Sequence, residues 1–213
     1  MFNLMLKDIK SVYNKRNIIT QLIYMPMMIY VIGDNYMRII DGIFFMGSMF
    51  IISYGMMSFY EDEKSKWDIV VNSLPVQRSN IVFYKYFNMI IQITLYLVFV
   101  SIVITLGNYT TLININLFNK RVLMSILNMS SIVLIFTAVV FPIYFKYGVT
   151  KMRIISILII ICIFAVIGGS GFLFSMADVR AINKIIIINL VCLTMFIVSS
   201  IISVKIYTNK DIV

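Results

Sequence analysis

Six apolar segments, none with Asp, Glu, Lys or Arg at its centre, divide this chain into spans at about 18–33, 42–60, 87–107, 122–145, 154–177 and 185–204. A helix rises about 1.5 Å per residue, so roughly 20 apolar residues cross a hydrocarbon layer of about 30 Å. Backbone N–H and C=O groups have no water to turn to in lipid, which leaves helices and closed barrels as the spanning structures. These segments are continuous runs and do not alternate, so they read as helices. Composition agrees: 61% of the residues are hydrophobic and 13% charged, against roughly 45–50% and 25% in a soluble domain. The expected fold is all-α, a polytopic membrane protein with six transmembrane helices forming one domain over 1–213. Pro26 in the short first segment and Pro142 near the end of the fourth each predict a kink. The first run starts late and lacks a small-residue cleavage site, so it does not read as a signal peptide.

Six spans put the tail 1–17, the loops 60–86 and 146–153 and the tail 205–213 on one side. That side holds thirteen Lys and Arg; the other holds five, namely Arg38, Lys120, Arg121, Arg180 and Lys184. Positively charged loops stay inside, which places both termini in the cytoplasm. Lys120 and Arg121 run against the rule. The net charge of +9 lies in segments flanking apolar runs, so it fits a membrane surface and not nucleic acid.

Much chemistry is excluded. The chain has no His, which removes the commonest general base and metal ligand and with it any H-E-x-x-H site. No Gly-Lys dipeptide occurs, so there is no phosphate loop of the G-x-x-x-x-G-K-[ST] type. Neither cofactor nor metal is expected on this chain. Cys162 and Cys192 lie inside apolar runs and read as inert buried thiols. No span carries a buried ion pair or a carboxylate relay by this reading, which counts against proton or sodium coupling. Asn88, Gln92, Asn128 and Asn189 are polar residues in or near spans; they could line a conduit, and interhelical hydrogen bonding is the commoner use. Gly168, Gly169 and Gly171 read as a packing notch or helix break, with an exit gate as the other use.

Two segments outside the spans carry more. Residues 2–16, written as a helix, gather Phe2, Met5, Leu6, Ile9, Val12 and Tyr13 on one face and Lys7, Asp8, Lys10 and Lys15 on the other. Such a helix lies in the membrane interface. After the second span, Glu61, Asp62 and Glu63 form an acidic cluster, and Ser65-Lys66-Trp67-Asp68 reads as a capping box opening a helix. Trp67, Val70, Val71 and Leu74 follow at i, i+3, i+4 and i+7, one apolar face of two turns, and Pro75 ends it. Ser79 is placed to cap the next helix. A helix this short is marginal alone and needs something to pack against. Lipid headgroups or the chain's own spans could serve, as could a soluble partner. Trp67 could equally be an interfacial anchor, and the acidic cluster a solvated helix end.

The run Glu61-Asp62-Glu63-Lys64-Ser65-Lys66-Trp67, followed by Ser73-Leu74-Pro75-Val76-Gln77-Arg78, Ile81-Val82 and Lys85-Tyr86, resembles the cytoplasmic loop of small ABC-2-type transporter permeases. Within that group the chain looks like permease subunits of phenol-soluble-modulin exporters. The resemblance implies that the loop helix between spans two and three, within 61–80, is a coupling helix seated on a separate ATPase. It assigns coupling to Trp67, Val70, Val71 and Leu74, with Arg78, Glu61, Asp62 and Glu63 as charged contacts. It further implies two cytosolic ATPase subunits, which bind the ATP and Mg, and a second permease copy or homologue. The setting it implies is a bacterial plasma membrane, and the cargo an amphipathic, cytolytic or antimicrobial peptide. The competing reading is an accessory or immunity membrane protein without a transport cycle; it tolerates changes in the loop helix.

Overall fold

The computed structural model describes Lys7 and residues 36–67, 77–109, 119–169 and 179–210, for 36–39, 163–169, 179–182 and 184 by the backbone alone. Five helices account for nearly all of them: α1 Tyr36–Lys64, α2 Arg78–Tyr109, α3 Lys120–Tyr147, α4 Val149–Gly169 and α5 Val179–Thr208. Among the described residues there is no strand. Four segments are long and apolar enough to cross a membrane: Ile40–Lys64, Arg78–Tyr109, Lys120–Tyr147 and Ile185–Thr208. They contain the second, third, fourth and sixth predicted spans. The fifth, 154–177, begins in α4 and runs on outside the described residues, as does all of 18–33. The interfacial helix over 1–17 also lies outside them except for Lys7, which is helical.

The helix ends follow local chemistry. Asn119 caps α3, its side chain accepting from the Arg121 N–H at 3.3 Å. At the other end Gly148, with φ 81°, donates its N–H to the Tyr144 carbonyl at 2.8 Å. A left-handed φ of this kind costs glycine least, and it allows α4 to start one residue after α3 stops. Ser65 closes α1: its N–H and hydroxyl both reach back to the Glu61 carbonyl, at 3.0 and 2.7 Å. Lys66 follows with φ 50°. The forward capping bond expected of Ser65 lies outside the described residues. Ser79 does not cap α2. The helix starts at Arg78, and Gln77 supplies the first carbonyl, to Asn80.

α3 is the centre of the packing. It lies against α5 most extensively, and against α1 and α4; α2 packs on α5 and α1. Gly47 on α1 lets the Tyr96 ring of α2 sit against its backbone, where a methyl group would overlap the ring. The Tyr96 hydroxyl donates to the Ile43 carbonyl at 2.8 Å. At one end of the bundle Phe59, Tyr86, Phe141, Tyr144, Phe145, Phe196 and Tyr207 make one aromatic cluster joining α1, α2, α3 and α5.

Pro142 shows how such a bundle tolerates a missing donor. α3 runs through it to Tyr147. Proline has no N–H, so the Ala138 carbonyl one turn back loses its helical partner. The Ser199 hydroxyl of α5 donates to that carbonyl at 2.7 Å. Neighbouring hydroxyls commonly fill this vacancy in apolar surroundings. Ser199 has one proton and it is committed, so Tyr86, whose oxygen is 2.8 Å away, must donate to Ser199 and accept from Ser203. One proline thus explains a hydroxyl chain across three helices. Ser199→Ala is expected to cost about 1–3 kcal/mol by stranding the carbonyl. Adding Pro142→Ala should return most of that loss, because the helical bond re-forms; thermal unfolding of the two variants in detergent checks it.

Candidate coupling site

The two helix ends that flank 65–77 are fixed by charge. Asp62 in the last turn of α1 is 2% exposed. Its Oδ2 lies 2.5 Å from Lys85 Nζ on α2, and its Oδ1 lies 2.5 Å from Lys7 Nζ. Lys85 is also buried and donates to the Ser58 hydroxyl at 2.6 Å, with the Phe59 and Tyr84 rings beside it. Ser58 and Asp62 are four residues apart, hence on one face of α1. Lys7 is shared: its ammonium also stands 3.8 Å from the centre of the Trp67 ring. Trp67 is half-buried and packs on the main core, and its indole N–H is buried with no hydrogen-bond partner among the described residues.

Two further bonds fasten the neighbouring elements. Glu63 Oε2 accepts from the Val149 N–H at the start of α4, at 3.2 Å. Helix N-termini present such unpaired donors and favour a carboxylate. Arg78, first in α2, donates to the Lys210 carbonyl at 2.9 Å and to the Thr208 carbonyl at 3.3 Å. Those carbonyls belong to the end of α5, where a cation is favoured for the reverse reason. The ends of the segment 65–77 are therefore anchored, in front by Asp62, which reaches Lys85 on α2, and by Trp67 against Lys7, and behind by Arg78, which reaches the end of α5.

This geometry changes the reading of several residues. Asp62 and Lys85 form a buried ion pair between two membrane-length helices, which corrects the expectation that no span carries one. α1 and α2 extend several residues past the apolar windows, and the extra turns bring the charges together. Arg121, which ran against the charge rule, pairs with Asp41 on α1 at 2.8 Å, and Ser125 donates to the same carboxylate at 2.6 Å. Of the residues read as coupling contacts, Asp62 and Trp67 meet at Lys7, Glu63 bonds the start of α4 and Arg78 the chain at the end of α5; Glu61 contributes its carbonyl to the close of α1. Val70, Val71 and Leu74 lie outside the described residues. The sequence places Lys7 among the cations on the polar face of 2–16 and Lys85, in the Lys85-Tyr86 pair, in the loop before the third apolar segment, but neither as a coupling contact. Neither position says which carboxylate it meets.

The polar residues of the spans divide. Asn189 ties α5 to α3, accepting from the Ser130 hydroxyl at 2.9 Å and donating to the Ile185 carbonyl at 3.0 Å. Asn128 is half-buried on α3. Asn88 and Gln92 are different: one turn apart on α2 and fully buried, they leave Asn88 Oδ1 and both polar atoms of Gln92 without a hydrogen-bond partner. Cys162 and Cys192 are free thiols, Cys162 exposed and Cys192 buried.

A family model described as ABC-2 family transporter protein matches residues 3–208, nearly the whole chain. The chain belongs to the ABC-2 transporter family. No curated protein and no solved structure matches it. As an ABC-2 transporter chain it is a multi-pass membrane permease subunit, and ATP hydrolysis falls to a partner chain. The anchored segment 65–77 lies between two of its membrane-length helices.

Proposed function

We propose that this ABC-2 permease exports amphipathic peptides, cytolytic or antimicrobial in kind, and that its 61–80 loop is the coupling element for a cytosolic ATPase. The observation that carries the coupling is the convergence of Lys7, Asp62, Trp67, Lys85 and Arg78 on the ends of that loop. A force applied to Trp67 passes to α1 and α2 through the Asp62 ion pair, and a force on Arg78 passes to α5 through the Thr208 and Lys210 carbonyls. Val70, Val71 and Leu74 complete the apolar face that docks, beside Trp67. The excess of Lys and Arg on this side places it in the cytoplasm, with both termini. Two ATPases and two permeases, the second a copy or a homologue, make the working unit in a bacterial plasma membrane.

The cargo reading rests on what the spans offer. Asn88 Oδ1 and both polar atoms of Gln92 are buried with no hydrogen-bond partner among the described residues, and a buried polar group left unpaired costs about 1–3 kcal/mol. An amphipathic peptide supplies both apolar surface and hydrogen-bonding groups to such a site. The test is co-reconstitution with the ATPase of the same operon in liposomes, reading ATP hydrolysis and peptide uptake into inverted vesicles. An amphipathic helical peptide should stimulate hydrolysis, and a highly charged soluble peptide should not. Gln92→Met should leave stability unchanged or raise it by up to about 3 kcal/mol, while reducing the stimulation. If no amphipathic peptide stimulates hydrolysis, the cargo reading is wrong.

A further inference from the structure

Where α3 and α5 end together, the surface holds a cavity of about 470 Å³ lined by Lys146, Ile202, Lys205, Ile206, Asn209 and Lys210. Three of the residues that line it are lysines. None of the three forms an ion pair or a side-chain hydrogen bond with a described residue; Lys146 only rests 5.0 Å from the Tyr147 ring. Arg78, bonded to the Lys210 carbonyl, adds a fourth cation next to the cavity. Among the described residues no carboxylate pairs with them, and like charges gathered together repel one another unless an anion joins them. The lysines stand where the apolar segments stop: Lys146 follows the predicted span 122–145 and Lys205 follows 185–204. The cavity therefore lies at the level of the headgroups.

Its floor is apolar, and it continues. Ile202 and Ile206 are one turn apart on α5. Ahead of them Val191, Met195 and Val198 fall at the same helical spacing, and Val191, Met195, Val198 and Ile202 are each about half exposed. An unbroken apolar stripe therefore leads from the lysine cavity into the depth of the span. A free phosphate would use the lysines and leave the stripe idle. A molecule with an anionic head and acyl chains uses both.

We infer that this cavity is a binding site for an anionic phospholipid, with the headgroup phosphate held by Lys146, Lys205 and Lys210 and an acyl chain laid along Val191, Met195, Val198 and Ile202. Basic pockets between membrane helices are suited to such headgroups, and each nearby cation adds to the attraction. The site is separate from the coupling contacts of Trp67 and Asp62, and it ties the ends of α3 and α5 to the lipid composition around them.

The full chain in a neutral detergent, titrated with phosphatidylglycerol or phosphatidylcholine and followed by native mass spectrometry, decides it. Phosphatidylglycerol should bind at about tenfold lower concentration than phosphatidylcholine. Lys146→Gln/Lys205→Gln/Lys210→Gln should remove that preference, and the corresponding triple Arg variant should keep it. Lys205→Gln alone, an exposed change at a helix end, should weaken it severalfold. A charge-matched control, Lys64→Gln/Lys66→Gln/Lys120→Gln, should leave it intact. Glycerol 3-phosphate should not displace the lipid. Three results would each overturn the inference: the Gln variants binding as the parent does, the control losing the preference equally, or glycerol 3-phosphate competing fully, which would mark a site for a soluble anion.

Discussion

Asp62→Ala is expected to lower the melting midpoint of the purified chain by about 6–20 °C. Asp62 holds Lys7 and Lys85 on separate oxygens, each at 2.5 Å. The Lys85 side chain is 4% exposed, so removing the carboxylate leaves a buried ammonium without its counter-charge. Breaking a buried pair from one side costs about 3–5 kcal/mol, and for a chain of this size 1 kcal/mol moves the midpoint by about 2–4 °C. The comparison that isolates the charge is Asp62→Ala/Lys85→Met. It removes both ions and keeps an apolar stem, so it should recover most of the loss. Lys7→Ala should cost far less, about 1 kcal/mol or below, because its side chain is one-third exposed and solvent screens the pair. A midpoint for Asp62→Ala within about 2 °C of the parent would contradict the buried network.

That network also shows what the sequence could and could not disclose. The spans were legible because hydropathy is a local quantity, and four of the six predicted windows sit inside helices long enough to cross a membrane. The helix ends were less legible. Ser65 carries the pattern of an N-cap for the following segment, whose forward bond lies outside the described residues; its hydroxyl also donates backward and closes α1, a role the pattern did not announce. Ser79 resembled a cap because Ser favours that position, but the helix begins one residue earlier.

Pairing was the least legible level. Asp62 and Lys85 are separated by 22 intervening residues, Asp41 and Arg121 by far more, and nothing local says that they meet. The rule that counts charges at span ends treated Arg121 as an exception. Its bond to Asp41 makes it half of a neutral pair, so it adds no net charge to the side that the count assigns it to. The buried amides split for the same reason. Asn189 and Gln92 look alike in sequence, but Asn189 finds Ser130 on the facing helix and Gln92 finds no partner. The hydroxyl chain from Ala138 through Ser199 to Tyr86 and Ser203 was foreshadowed only by Pro142, which announces a vacant carbonyl without saying which helix fills it.

The second large effect concerns the loop between α1 and α2. Its anchors are seen: Trp67 beneath Lys7 at the front, and Arg78 on the end of α5 behind. Val70 falls at i+3 from Trp67 on the apolar face read for the segment. If that face is docked on an ATPase, Val70→Asp forces a carboxylate into a dry contact at a cost of several kcal/mol. Every 1.4 kcal/mol is tenfold in affinity, so retention of the ATPase should fall by about 100-fold or more. The change lies outside the Asp62–Lys85 pair and the aromatic cluster, so the permease itself should melt as the parent does.

The most direct test is therefore a detergent pull-down of the ATPase encoded in the same operon, with the parent permease and with Val70→Asp at matched folding. The account predicts that the parent retains the ATPase and the folded variant loses it. Equal retention by both, or none by either, would contradict the coupling role of the loop and favour a membrane protein without a transport cycle.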